Sequence, residues 1–318
     1  MKVMAAFIKM MRVGNLAFLA LTQYLIYFCI LVPLLGYYGL KPSLDLLQFS
    51  MLVLSTVLIA GAGYIINDYF DIKIDQVNKP HKVVLETVIK RRWAMGTHIT
   101  LSALGILLAL ALAVQVGSLR LATLQALTVG LLFFYSTDYK KQLLTGNIVI
   151  AVLAALSVAT IGFYEPQLYR ESLIEASAPA AWMIMRLLLF YTFFSFLITL
   201  IREMVKDIED FKGDAQFGCR TAPIVWGIGP TKRIIYVLIA LLVAVLVSVQ
   251  IFAMQHNSSW LMVYFIVLVQ LPMIGLGWQL YKTNTSAGYH QVSSRIKWVT
   301  LAGILSMLIY YVQFIAQS

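Results

Sequence analysis

The sequence predicts an all-α, multi-pass membrane protein of nine transmembrane helices around a central cavity open to the cytoplasmic side. Three observations predict it. Of 318 residues, 61% are apolar and only 12% charged, against roughly 45–50% and about 25% in soluble domains, which excludes a water-soluble globular enzyme. Nine apolar runs approach the roughly 20 residues that a bilayer-spanning helix needs. Threading those runs back and forth places 20 of the 24 Lys and Arg on one side, the asymmetry of a cytoplasmic face. The formal net charge of +10 therefore reads as topology. Its basic residues punctuate apolar runs instead of lining a stripe, so no nucleic-acid partner is expected.

The runs fall at 14–36, 45–66, 94–115, 119–135, 146–164, 182–201, 234–254, 259–281 and 297–315. Lys2, Lys9 and Arg12 precede the first, as in a secretory signal. Its apolar stretch exceeds the roughly 7–15 residues of a signal core, and no small-x-small site follows before Pro33, so it reads as an uncleaved span. The even-numbered connections carry the charge, which places the amino terminus in the cytoplasm and the carboxyl terminus outside the cell membrane. Connections 67–93 and 202–233, 27 and 32 residues long, are too polar and too varied to be linkers, and long connections between packed elements are usually functional. Tyr164 to Ala181 reads as an outer surface segment or interfacial helix. Residues 1–318 form a single domain.

The two long connections share a pattern. Asp68, Asp71 and Asp75 in one, and Asp207, Asp210 and Asp214 in the other, each spell D-x-x-D-x-x-x-D, offset by 139 residues. Positions i, i+3 and i+7 share one helix face, so each cluster projects three carboxylates from an extended span end. Buried at a bilayer centre, six carboxylates would cost on the order of 15–20 kcal/mol. They require water or cations near the cytoplasmic face. Crowded like charges repel, and divalent cations relieve them. Magnesium takes one or two carboxylates plus phosphate oxygens and water, so two facing clusters suit a diphosphate held through Mg²⁺. Six midfacial acids also suit a divalent-cation transporter, but transporters place such acids within spans near the midplane, often on interrupted helices, whereas both clusters here begin at cytoplasmic span ends with basic residues beside them.

At these residues the chain resembles the UbiA superfamily of intramembrane prenyltransferases. Asn67-Asp68-x-x-Asp71-x-x-x-Asp75, followed by Asn78-Lys79-Pro80, is similar to the first Asp-rich motif of that superfamily, and Asp210-x-x-x-Asp214 to the second. Arg12-x-x-Asn15, Tyr135-Ser136-x-x-x-Lys140 and Gly146-Asn147 agree as well. The resemblance implies nine helices and Mg²⁺-dependent transfer of a polyprenyl group from its diphosphate to a lipophilic acceptor, by ionisation and carbocation capture. It implies metal ligands at Asp68, Asp71, Asp75, Asp207, Asp210 and Asp214, and substrate contacts at Arg12, Asn15, Asn67, Lys79, Ser136, Asn147, Arg202 and Lys206. It further implies that Tyr135, Lys140, Asp71 and Asp210 stand at the reacting centre, with the Tyr135 ring offered to the carbocation. The run from Arg202 to Asp214 looks most like digeranylgeranylglyceryl phosphate synthases, which use geranylgeranyl diphosphate and geranylgeranylglyceryl phosphate. Homogentisate, hydroxybenzoate, menaquinone and chlorophyll-type prenyltransferases are the alternative.

Other features carry no chemistry. Cys29 and Cys219 have no metal-ligand spacing, and His81, His98, His256 and His290 are scattered. Gly61 and Gly63 read as close-packing residues of span 2. There is no G-x-x-x-x-G-K phosphate loop. Prenyl chain length and oligomeric state are not encoded in any motif.

Overall fold

The computed structural model describes residues 2–78, 84–168, 171–255 and 259–317. A short amphipathic helix α1 (Lys2–Met10) leads into α2 (Val13–Tyr37) and α3 (Leu46–Asn78). Then come α4 (Arg91–Gln115), α5 (Arg120–Thr137), α6 (Thr145–Phe163) and α7 (Glu171–Glu209). Two short helices, α8 (Phe211–Gln216) and α9 (Ala222–Val225), precede α10 (Ile228–Gln255), α11 (Trp260–Lys282) and α12 (Ser286–Gln317).

Among the described residues, eight of these helices are long and apolar enough to cross a membrane. The fourth expected span is the exception. Its apolar part, Leu121–Thr137, is shorter than the other eight; 17 residues rise about 26 Å, slightly less than the roughly 30 Å of hydrocarbon. Elsewhere the helices outrun the apolar windows, because an α-helix satisfies its own backbone and continues past the bilayer without apolar side chains. Thus α3 extends to Asn78 and carries the first Asp cluster. The outer segment expected at 164–181 splits between a 3₁₀ turn at Pro166–Leu168 and the first turns of a 39-residue α7.

The helices close a ring. α3 packs on α4 and α5, α6 on α7, α7 on α10 and α12, and α12 returns to α2. Large apolar side chains on the outer faces, including Leu107, Leu127, Val237 and Trp260, stay exposed where lipid would cover them. Gly63 permits a close approach: a Cβ there would lie 2.9 Å from Leu132 on α5, as expected of a packing glycine. Several polar groups inside the ring find partners. Gln23 donates to the carbonyl of Ser157, Tyr264 to that of Ala302, and Gln250 and Gln270 exchange amide hydrogen bonds.

Two spans accommodate a proline by the same device. Pro33 and Pro272 have no N–H, and each is preceded by a π turn, Tyr27–Leu31 and Ile266–Gln270. The wider turn closes through Val32 N–H to Tyr27 O and Leu271 N–H to Ile266 O. One residue of extra backbone thereby accommodates the missing donor.

Candidate active site

The site starts at the carboxyl-terminal turns of α3. Asp68 and Asp71 lie three residues apart on one helix face, and each has captured a cation from another element. Arg12 Nη2 donates to Asp68 Oδ1 at 2.8 Å. Lys140 Nζ lies 2.6 Å from Asp71 Oδ1. Asn67 links the second pair, donating to Asp71 Oδ2 at 2.9 Å and accepting from Lys140 at 3.3 Å.

Local backbone geometry delivers those cations. Arg12 sits at φ 53° and ψ 51° between α1 and α2, a left-handed conformation unfavourable for a residue with a Cβ. Its guanidinium lies over the Tyr64 ring at 5.0 Å, and the Tyr64 hydroxyl accepts from Asn15 at 3.3 Å. Burial works against the Arg12 charge, but Asp68 and Asp75 hold its pKa above the ordinary arginine range. Lys140 is placed by the 3₁₀ turn Tyr139–Lys141. That turn packs on Gly146, where a Cβ would come within 2.6 Å of Lys140 Cα and 2.9 Å of Tyr139 O. Only glycine fits, which gives the Gly146-Asn147 pair a structural meaning.

The second cluster has a different shape from the first. Asp207 closes α7, Asp210 stands at the break with φ −91° and ψ 6°, and Asp214 lies on α8. The expectation of three acids along one continuous helix face therefore fails for this copy. The break is stabilised from outside, by the last residue of α3. Asn78 Nδ2 donates to Asp210 O at 3.1 Å and its Oδ1 accepts from Gly213 N–H at 2.9 Å. One amide side chain thus ties both Asp-rich segments together.

Asn147 is buried and donates to Asp207 Oδ2 at 2.8 Å. Arg202 and Lys206 both bind Glu203 at 2.7 Å, so their charges are shared with an acid that the motif reading had not assigned. Tyr135 lies within electrostatic range of Asp71, Asp207, Glu203 and Arg12, which places it between the clusters. Ser136 turns away: its hydroxyl donates to Leu132 O at 2.8 Å within α5. Lys79 lies outside the described residues.

Cys219 shows how near the clusters are. Buried, and within range of both Asp214 and Asp71, its thiol is pushed up to about 11 by burial first and then by Asp214. The neighbouring Arg220 N–H donates to Lys141 O at 2.7 Å, fastening the 6–7 connection to the Lys140 turn.

Among the described residues no three His, Cys, Asp or Glu side chains converge closely enough to cage one ion. The donor set nevertheless fits magnesium. It consists of carboxylates alone, and Mg²⁺ asks for one or two of them, completing its shell with water and substrate phosphate.

Sequence reasoning missed Asn78, Glu203, Tyr64 and Lys297 as parts of this network. Asn78 and Glu203 adjoin the motifs and could have been suspected; Tyr64 and Lys297 gave no signal. Of the histidines, His98 bonds Ala62 O at 3.0 Å as a packing residue. His290 does more than expected, pairing with buried Glu209 at 2.8 Å, while His81 and His256 lie outside the described residues.

The profile of the UbiA prenyltransferase family matches residues 25–300. A digeranylgeranylglyceryl phosphate synthase of Sulfurisphaera tokodaii is 36% identical over 197 residues, which are 62% of this chain and 63% of that one. The alignment thus spans just under two thirds of that relative's length. The fold is similar to a solved digeranylgeranylglyceryl phosphate synthase, with TM-score 0.64 and 22% identity over 98% of this chain and 100% of that one. It is also similar to a UbiA homologue from Archaeoglobus fulgidus bound to geranyl diphosphate and Mg²⁺, with TM-score 0.62 and 14% identity over 93% and 99% of the two chains.

Proposed function

From the chain's membership of the UbiA prenyltransferase family, we propose that it transfers a geranylgeranyl group from its diphosphate to geranylgeranylglyceryl phosphate. The observation that carries this reading is the pair of Asp-bearing helix ends held together by Asn78, with Arg12, Lys140, Arg202 and Lys206 around them. The acceptor is that of the digeranylgeranylglyceryl phosphate synthases to which the chain is similar. Family membership leaves no role for the cation-transporter alternative.

Asp68, Asp71, Asp75, Asp207, Asp210 and Asp214 would hold Mg²⁺, which supplies positive charge to the departing diphosphate. Lys140 adds a cation beside Asp71, and Asn67 and Asn147 fix the carboxylates they touch. The allylic C–O bond of the donor breaks with its electron pair on the diphosphate. The acceptor hydroxyl oxygen bonds the allylic carbon and gives its proton to the diphosphate. Tyr135, between the clusters, turns its ring to the developing cation, and the helix ring excludes water that would otherwise capture it. Arg12 and Asn15 belong to the substrate-binding side, as does Lys79 by its motif, while Ser136 spends its hydroxyl on the α5 backbone.

The family fold supports α5 as a ninth span, with a cavity opening to the cytoplasm. The Lys and Arg asymmetry supports a cytoplasmic amino terminus and an outer carboxyl terminus in the cell membrane, and the family match over 25–300 supports a single domain.

The test is turnover by purified protein in lipid with Mg²⁺ and geranylgeranyl diphosphate, offering geranylgeranylglyceryl phosphate and an aromatic panel in parallel, read by mass spectrometry. A di-ether product that vanishes with EDTA is expected. Prenylation of an aromatic acceptor alone would overturn the acceptor assignment.

A further inference from the structure

Lys297 lies at the start of the apolar part of α12, and its surroundings are unlike those of a lysine that merely marks topology. Such a lysine extends toward headgroup water, as the neighbouring Arg295 does on an exposed face with Gln279 at 2.8 Å. Trp298, next in sequence, is 69% exposed and faces outward. Lys297 turns the other way, is partly buried, and donates to Asn15 Oδ1 of α2 at 3.2 Å. No carboxylate lies within 4 Å of its Nζ among the described residues. Its strongest charged neighbours are Arg202, Lys206 and Arg12, with Glu203 opposing them.

In direct contact those four cations share two carboxylates, Asp68 on Arg12 and Glu203 between Arg202 and Lys206; Asp75 and Asp207 act on Arg12 and Lys206 from farther off and belong to the clusters assigned to metal. With those two acids committed to metal, the excess is two positive charges. In addition, Arg202 Nε is buried with no hydrogen-bond partner among the described residues. Holding uncompensated cations in a half-buried site is costly unless an anion joins them. A phosphate monoester, carrying about −1.5 to −2 charges at neutral pH and three acceptor oxygens, matches both the charge and the unused donors. The diphosphate of the donor is less suited, because the carboxylate clusters provide for it through metal.

We propose that Lys297, with Arg12 and Arg202, forms a second anion subsite that binds the phosphate monoester of the acceptor lipid, and that Lys297 selects a phosphorylated acceptor. This rests on the ether-lipid reading above. Held there, the headgroup lies beside Arg12 and Glu203, which flank Tyr135 and so border the reacting centre. The tie from Lys297 through Asn15 and Tyr64 to the Arg12 guanidinium registers the subsite against the first carboxylate cluster.

The experiment measures KM for both substrates in purified wild type, Lys297→Met, Lys297→Gln and Lys297→Arg, with geranylgeranylglyceryl phosphate and its dephosphorylated analogue as acceptors. Loss of one charge-assisted contact should raise the phosphorylated acceptor's KM at least about tenfold in the Met and Gln variants. The donor's KM should move less than twofold, Arg should restore most of the affinity, and the preference for phosphate over its analogue should shrink by the same factor. A rise confined to the donor's KM would assign Lys297 to the diphosphate and overturn the proposal. Unchanged KM in Met and Gln variants, with wild type active on the phosphorylated lipid, overturns this inference alone. A wild-type protein that ignores that lipid while prenylating an aromatic acceptor overturns the ether-lipid reading and this inference together. Should Met fail to fold, Gln carries the same comparison.

Discussion

The contact between Asn78 and Gly213 makes a prediction whose sign differs between backgrounds. A Cβ on Gly213 would lie 2.5 Å from Asn78 Oδ1 and 2.6 Å from its Cγ and Nδ2, so Gly213→Ala must expel the Asn78 side chain. Both of its hydrogen bonds are then lost, to Asp210 O and from Gly213 N–H. At a net 0.5–1.5 kcal/mol each, that is about 1–3 kcal/mol. Replacing Gly by Ala inside a helix returns roughly 0.5–1 kcal/mol, leaving Gly213→Ala destabilising by up to about 2.5 kcal/mol. Asn78→Ala alone loses the same two bonds and should cost about 1–3 kcal/mol. In the Asn78→Ala background the clash is gone, so adding Gly213→Ala should be neutral or stabilising by up to about 1 kcal/mol. Denaturant unfolding of the four proteins in mixed micelles measures the cycle. Equal cost of Gly213→Ala in both backgrounds would refute the tether between the two Asp-rich segments.

Asp71→Ala and Asp210→Ala should each abolish prenyl transfer while leaving the unfolding midpoint within a few degrees of wild type; full turnover in either would sink the metal clamp. Gly146→Ala meets backbone atoms of Lys140 and Tyr139, which cannot step aside as a side chain can. It should destabilise by about 1–3 kcal/mol and, by shifting Lys140 from Asp71, lower kcat by roughly 10²-fold; wild-type kcat would show that the turn is slack. Burial and Asp214 raise the Cys219 pKa to about 11, so the inert thiol dominates at neutral pH. Its labelling by iodoacetamide, followed by mass spectrometry, should rise about tenfold per pH unit up to that value, and a plateau below pH 9 would contradict it.

Composition, the spacing of apolar runs and the sidedness of Lys and Arg were legible in the chain itself, because a bilayer imposes the same length and polarity on every span. The 139-residue repeat of the Asp pattern singled out the candidate site by its spacing, and the motifs around Arg12, Tyr135 and Gly146 were added to it by the family resemblance. Hydropathy could not say where helices end, since charged turns continue α3 to Asn78 as readily as apolar ones. Nor could it separate the two Asp copies: whether Asp210 continues a helix or breaks it depends on Asn78, 132 residues away in sequence. Only packing decided which cation meets which carboxylate, with Arg12 on Asp68, Lys140 on Asp71, and Glu203 between Arg202 and Lys206. Lys297 is the clearest case. In sequence it is one of three basic residues in the 8–9 connection, and only the closure of α12 against α2 brings it to Asn15. Local pattern fixes the period and polarity of each helix, but the pairing of distant charges depends on how the ring closes.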